Sequence, residues 1–239
     1  MKIHLYAFSY QDGKMLPFFL KYYSTIVDKM TIYDSGSTDN SNILFKKYGV
    51  EVKQTGHKVW DWDAGQKLMN EIWKGADCDY VIFPDIDEIY YHPNLREYLE
   101  SKVGEVDIFQ SRGFQMVSKV FPKDNESLFD IKMGVADSLY NKFRIFNPKI
   151  KITFVSAHDI RTTSRKLERF STLNLHYKYL GVDELVRRAD LVKKRVPPDS
   201  ICKAYNKNLL AQFPGLVKSR QQYQVELNSL LMRSVRVLP

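Results

Sequence analysis

Tyr80-Val81-Ile82-Phe83-Pro84-Asp85-Ile86-Asp87-Glu88 is the stretch on which the reading of this chain turns. Its first four residues are apolar and β-branched or aromatic, the composition of a buried strand. Pro84 has no N–H to donate and ends the ladder. Asp85 and Asp87 follow two residues apart, so on extended backbone both carboxylates point the same way. Like charges that close repel unless a cation lies between them, and a divalent ion with oxygen ligands is the ordinary solution. Open α/β sheets bind ligands at the carboxyl ends of their strands, where this pair would sit.

Towards the N-terminus the chain supplies the rest of such a sheet. Ile3, Leu5 and Ala7 alternate with His4, Tyr6 and Phe8 as a first strand. A helix is expected from Leu16 to Val27, with Pro17 tolerated in its first turn. Lys29 to Tyr33 reads as a second strand, Asn40 to Tyr48 as a helix stopped by Gly49, and Val50 to Gln54 as a third strand. The order β-α-β-α-β begins a parallel sheet with helices on its faces. Asp63 to Gln66 has the form of a capping box, opening a helix whose Leu68, Met69, Ile72 and Trp73 face the core.

Beyond the acidic stretch, Pro93 to Ser101 reads as a helix and Val106 to Gln110 as a strand. Arg112 to Asn147 lacks a clear period and is expected to be a flexible, substrate-facing segment. Lys151 to Ser156 and Thr172 to Leu175 read as strands, the second carrying His176. From Asp183 the period is helical, broken at Pro197-Pro198 and Pro214-Gly215, which predicts three C-terminal helices.

Composition sets the class. With 239 residues, 44% of them hydrophobic, the chain can bury a core of one large domain plus an appendage. The longest apolar runs fall far short of the ~20 residues that span a bilayer. The N-terminus is too short and polar for a signal peptide. Cys78 and Cys202 lack metal or disulfide spacing. A cytoplasmic protein is expected. The net charge of +8 favours an anionic partner such as a nucleotide phosphate, a nucleic acid or a membrane face.

Taken together, the N-terminal β-α-β unit, the turn Asp34-Ser35-Gly36-Ser37-Thr38-Asp39, the helix with Gln66 and Asn70, the run Phe83 to Glu88, and the late His176-Tyr177-Lys178 resemble the nucleotide-sugar half of a GT-A glycosyltransferase. The resemblance is to the family-2-like branch whose acidic motif reads D-x-D-E. It implies an α/β, Rossmann-like fold over residues 1–180, with a mixed, mainly parallel central sheet flanked by helices. Residues 181–239 would be a helical C-terminal extension packed on it. It also implies a nucleotide-sugar donor, UDP-linked, a hydroxyl acceptor on a glycan, inversion at the anomeric centre, and Mn²⁺ or Mg²⁺ as cofactor.

By that resemblance Asp87 binds the metal directly, Asp85 contacts the ribose or the metal and its water shell, and His176 completes the metal site. Asp34 reads the base, with backbone contacts from Ala7, Phe8 and Ser9. Gln66 and Asn70 reach the nucleotide from their helix, and Lys178, Arg161 and Arg165 offer cations to its phosphates. The catalytic base is expected at Asp159, with Asp137 and Glu88 as reserves.

Each assignment has a plain structural alternative: a turn cap for Asp34, a solvated pair for Gln66 and Asn70, a core histidine for His176, solvated charges for the cations. Two other functions compete. A nucleotidyltransferase would share the sheet and acidic site, but Phe8 to Lys14 contains only Gly13 where a glycine-rich phosphate loop is expected. A non-enzymatic nucleic-acid-binding protein would suit the charge, yet three carboxylates at the strand mouth would repel phosphates. No nucleic-acid partner is therefore expected. The basic helices with Arg187-Arg188, Lys193-Lys194-Arg195 and Lys203 have an apolar side that would pack on the domain and leave the charges in water, or else lie against an anionic membrane face.

Overall fold

A computed structural model describes residues 1–56, 62–156, 158–195 and 218–239. The chain divides into two compact units. The first holds residues 1–56, 62–114 and 136–176, and the second holds 115–135 and the described chain from Tyr177 onward. Residues 115–135 thus group with the C-terminal part of the chain.

The first unit is built on four parallel strands: β1 (Ile3–Ser9), β2 (Lys29–Asp34), β3 (Glu51–Gln54) and β4 (Tyr80–Ile82), in the order β4-β1-β2-β3. Residues 3–7 of β1 are all buried, the pattern of a strand covered on both faces. Helices α1 (Leu16–Tyr23), α2 (Ser41–Lys47), α3 (Trp62–Glu71) and α4 (Leu95–Ser101) connect or flank these strands. The sheet is extended antiparallel by β8 (Ile145–Phe146), which pairs with β4 and with the start of β6 (Ile108–Ser118). β5 (Glu88–Tyr91) pairs antiparallel with β11 (Leu167–Leu180), and β9 (Ile152–Phe154) forms a hairpin with β10 (Ile160–Thr162). The expected mixed, mainly parallel α/β sheet flanked by helices is what the chain forms. Tyr6, Trp73, Val81, Phe83, Phe146 and Phe154 lie at the centre of its core.

Local chemistry explains where the elements depart from expectation. α1 stops at Tyr23 rather than Val27. The hydroxyls of Ser24 and Thr25 donate to the carbonyls of Lys21 and Tyr22, at 3.1 and 2.8 Å, competing with a further helical turn. α3 begins one residue before Asp63, so Asp63 lies inside its first turn instead of capping it.

The largest correction concerns Arg112 to Asn147, expected to be a flexible segment. It contains the second half of β6, a short strand β7 (Met133–Ala136), β8 and two 3₁₀ turns, Leu128–Asp130 and Ser138–Tyr140. Gly113 hides the strand from its period because the position needs a missing side chain. A Cβ there would stand 2.4 Å from the Tyr140 carbonyl carbon and 2.6 Å from the Asp137 oxygen.

In the second unit, α5 (Val182–Arg195) and α6 (Arg220–Arg233) pack Leu185, Ala189, Tyr223, Leu227 and Leu230 together with Val117. Ser219 and Gln222 close a reciprocal capping box at the start of α6. A two-residue strand β12 (Val235–Arg236) pairs with β7 at Met133 and Gly134. Pro197-Pro198, Lys203 and Pro214-Gly215, on which the count of three helices depended, lie outside the described residues. Among the described residues no helix is long and apolar enough to cross a membrane.

Candidate active site

The acidic residues leave β4 through a turn, not along extended backbone. Phe83 N donates to the Arg144 carbonyl at 2.8 Å, and Glu88 N then donates to the Asp85 carbonyl at 2.9 Å. The turn breaks the alignment expected for Asp85 and Asp87. Asp85 is half exposed, while Asp87 is buried and its carboxylate stands 3.3 Å from His176 Nε2. Register brings the histidine there: β11 lies against β5 with His176 opposite Glu88, the residue after Asp87.

Lys142 occupies the other side. Its side chain is 2% exposed, and its ammonium lies 2.9 Å from Asp85 and 2.5 Å from Glu88. Burial alone would lower the lysine pKa, but the two carboxylates outweigh it and hold the group above the ordinary lysine value. Asp85 is crowded by protein, which opposes ionisation, yet Lys142 and Arg144 prevail and keep its carboxyl below the usual aspartate value. The buried Arg144 lies over the rings of Phe83 and Phe154, at 5.3 and 5.1 Å from their centroids.

Glu88 is fully buried, paired with Lys142 and accepting from the Tyr90 hydroxyl at 3.3 Å. It is a structural anion and is withdrawn as a catalytic base. Asp137 is also committed: it accepts from Leu139 N at 3.0 Å and caps the turn that carries Tyr140. Asp159 is exposed and accepts from its own neighbour, Ile160 N, at 2.9 Å.

The other expected site residues sit as follows. Asp34 is 1% exposed, and both its oxygens serve its own turn: Gly36 N and Ser37 N donate to one, and Ser37 Oγ to the other at 2.6 Å. The carboxylate caps its own turn, as the structural alternative for Asp34 has it. Asn70 clasps the backbone of Phe154, accepting from its N–H at 2.8 Å and donating to its carbonyl at 3.0 Å, and Gln66 donates to the same carbonyl. These two residues hold β9 onto α3. Lys178 belongs to the second unit, where its ammonium lies 5.4 Å from the Tyr179 ring centroid. Arg161 and Arg165 are exposed.

At the end of β1, Ala7 and Ser9 are buried, whereas Phe8 is partly exposed. Phe8 pairs in register with Tyr33 of β2, and their rings meet edge to face at 6.2 Å. This places an aromatic wall near the strand ends.

Sequence reasoning missed Tyr140, Lys142, Arg144 and His158. Tyr140 stacks on His176, with centroids 4.1 Å apart and planes 20° from parallel. Its carbonyl accepts from the buried Asn174 at 3.1 Å. A signal existed: Tyr140, Lys142 and Arg144 recur every second residue, as side chains on one face of an extended segment do.

The donor set fits a divalent ion. Ligands on adjacent positions of an octahedral ion at 2.0–2.1 Å stand about 3 Å apart, close to the spacing between Asp87 and His176. A carboxylate with an imidazole suits Mn²⁺ or Mg²⁺. Among the described residues no group of three or more protein ligands is assembled. The remaining positions would fall to water or to phosphate oxygens, as is usual for Mg²⁺ at nucleotides. Cys78 takes no part: it is buried, and burial pushes its thiol up to about 11.

No protein-family model matches the chain, and no curated protein matches it by sequence. Among solved structures, S. aureus TarS 1-349 aligns at 15% identity with a TM-score of 0.48, over 90% of this chain and 71% of that one. A longer TarS structure aligns over 43% of its own length. Glucosyl-3-phosphoglycerate synthase from Mycobacterium tuberculosis, in complex with Mn²⁺, UDP and glucosyl-3-phosphoglycerate, aligns at 16% identity with a TM-score of 0.46, over 83% of this chain and 81% of that one. Likeness at this level assigns neither family nor activity.

Proposed function

We propose that this chain is a divalent-metal-dependent glycosyltransferase that moves a sugar from a UDP-linked donor to a hydroxyl acceptor on a glycan, with inversion. The observation that carries the reading is the Asp87–His176 pair, two metal-type donors 3.3 Å apart just beyond the carboxyl end of β4. A divalent ion held there would neutralise the charge that develops on a nucleoside diphosphate as it leaves.

The chain's own residues have separable tasks in this reading. Asp87 and His176 hold the ion. Lys142 fixes Asp85 and Glu88 and cancels part of their charge, so the site is not so acidic that it repels a diphosphate. Asp85, half exposed, is the carboxylate free to meet the ribose or the ion's water shell. Phe8 and Tyr33 offer ring surface for a nucleobase.

The test is calorimetric titration of UDP with and without Mn²⁺, alongside hydrolysis of UDP-glucose, UDP-galactose and UDP-N-acetylglucosamine. Mn²⁺-dependent UDP binding, lost in Asp87→Ala while the circular dichroism spectrum stays native, is the expected result. Equal UDP affinity in excess chelator, or full activity of Asp87→Ala, would overturn the metal assignment. Stabilisation by nucleoside triphosphates but not by UDP-sugars would favour a nucleotidyltransferase instead.

A further inference from the structure

With Glu88 sealed in an ion pair, Asp137 capping a turn and Asp159 accepting from its own neighbour Ile160 N, the site contains an imidazole better disposed to accept a proton. His158 lies between β9 and β10, and its Nδ1 is 2.6 Å from the carbonyl oxygen of Leu139. A carbonyl can only accept, so Nδ1 carries the ring proton and Nε2 presents its lone pair. The backbone on both sides is pinned, because Ser156 Oγ accepts from His158 N and Asp159 N, each at 3.1 Å.

The ring meets Tyr140 edge-on, with centroids 5.6 Å apart and planes at 82°, and the face of Tyr140 stacks on the metal-type ligand His176. One aromatic ring thus separates His158 from the donor end of the site. Tyr140 is held from three directions: the Asp137 cap, the Asn174 amide, and the close approach that Gly113 permits.

We propose that His158 is the catalytic base, taking the proton from the acceptor hydroxyl. The inference rests on the glycosyltransferase reading. In the step, the acceptor oxygen forms its bond to the anomeric carbon as its proton passes to Nε2. The bond from that carbon to the phosphate oxygen breaks, and its electron pair leaves with the nucleoside diphosphate. The charges that bear on His158 are Lys142, Glu88 and Arg144, and the ring against it is Tyr140. Burial first, and then Lys142, hold the imidazole below its ordinary pKa, so it is neutral and ready to accept at pH 7.

The probe is hydrolysis of the UDP-sugars above, with water as acceptor, followed in His158→Gln and His158→Ala. A positioned base contributes about 10²–10⁴-fold. Turnover should fall by at least ~100-fold, with the affinity for UDP·Mn²⁺ within about twofold of wild type. The acid limb of the kcat/KM profile should disappear, and added imidazole should partly restore His158→Ala. Unchanged turnover, a retained acid limb, or a parallel loss of UDP·Mn²⁺ affinity would overturn the assignment. The two failures differ: a wild type that neither binds UDP nor hydrolyses any of these sugars refutes the enzyme reading itself. A wild type inactivated by Asp87→Ala but not by His158→Gln refutes only the base.

Discussion

Replacing Lys142 by methionine removes a buried cation while keeping most of the side-chain volume. Two carboxylates lose their partner, but not equally. Asp85 is half exposed and can be rehydrated, whereas Glu88 is fully buried and, among the described residues, keeps the Tyr90 hydroxyl and a long 3.4 Å contact with Asp85 N. Breaking a buried pair by deleting one partner costs about 3–5 kcal/mol, and Glu88 accounts for most of it. Against a total stability of roughly 5–15 kcal/mol that is a large fraction. At about 2–4 °C per kcal/mol for a chain of this size, the melting temperature should drop by roughly 6–20 °C.

Urea titration followed by tryptophan fluorescence measures the loss, and a Glu88→Gln background isolates its cause. If Glu88 is the stranded charge, Lys142→Met in that background should cost at least ~2 kcal/mol less than in the wild type. A loss below about 1 kcal/mol in the single variant, or strict additivity in the double, would refute the ion-pair argument.

Gly113→Ala should destabilise by about 1–3 kcal/mol through overpacking and should also weaken UDP·Mn²⁺ binding, because the displaced neighbour carries Tyr140. Titration calorimetry and melting curves read the two effects. His4 is buried, stacked on Tyr6 and bonded to Thr31 Oγ1 at 2.9 Å, and burial lowers its pKa to about 4. Its folded pKa is below the unfolded value, so its contribution is present above about 6.5 and fades as pH falls towards 4. The contribution is of order 3 kcal/mol, and His4→Gln should flatten the stability curve in that window. Lys142 has the opposite sign: its folded pKa is raised, so its contribution is intact below about 10.4 and is lost as pH climbs through the folded value. Lys142→Met should remove that alkaline decline. Asn70→Ala should loosen β9, seen as faster amide exchange at Phe154, with little direct effect on nucleotide affinity.

The parallel half of the sheet was legible because its strands are short, apolar and separated by turn residues whose chemistry is local. Asp87 and His176 drew attention for a different reason: unusual residue types follow runs that read as strands, and the fold brings the two to 3.3 Å. What escaped was everything that depends on long-range approach. Lys142 and Arg144 went unread because only folding buries them beside Asp85, 57 residues away in the case of Lys142. The β6 strand was obscured by Arg112-Gly113, where the glycine answers to Tyr140 rather than to its own strand. Asp34 and Asn70 were assigned to a ligand on position; in the fold Asp34 spends its oxygens on its own turn and Asn70 bonds the backbone of Phe154, 84 residues away.

The two adjacent tyrosines that end α1 bear on how the molecule behaves in company. Tyr23 Oη accepts from Tyr90 N at 2.9 Å and donates to the Glu88 carbonyl at 3.2 Å, while Tyr22 Oη donates to the Tyr90 carbonyl at 2.8 Å. These are the peptide groups of β5 that do not face β11, and a row of such groups left open would template pairing with another chain. Two phenols from a helix occupy the places a further strand would take, so the open edge of β5 is covered without a proline.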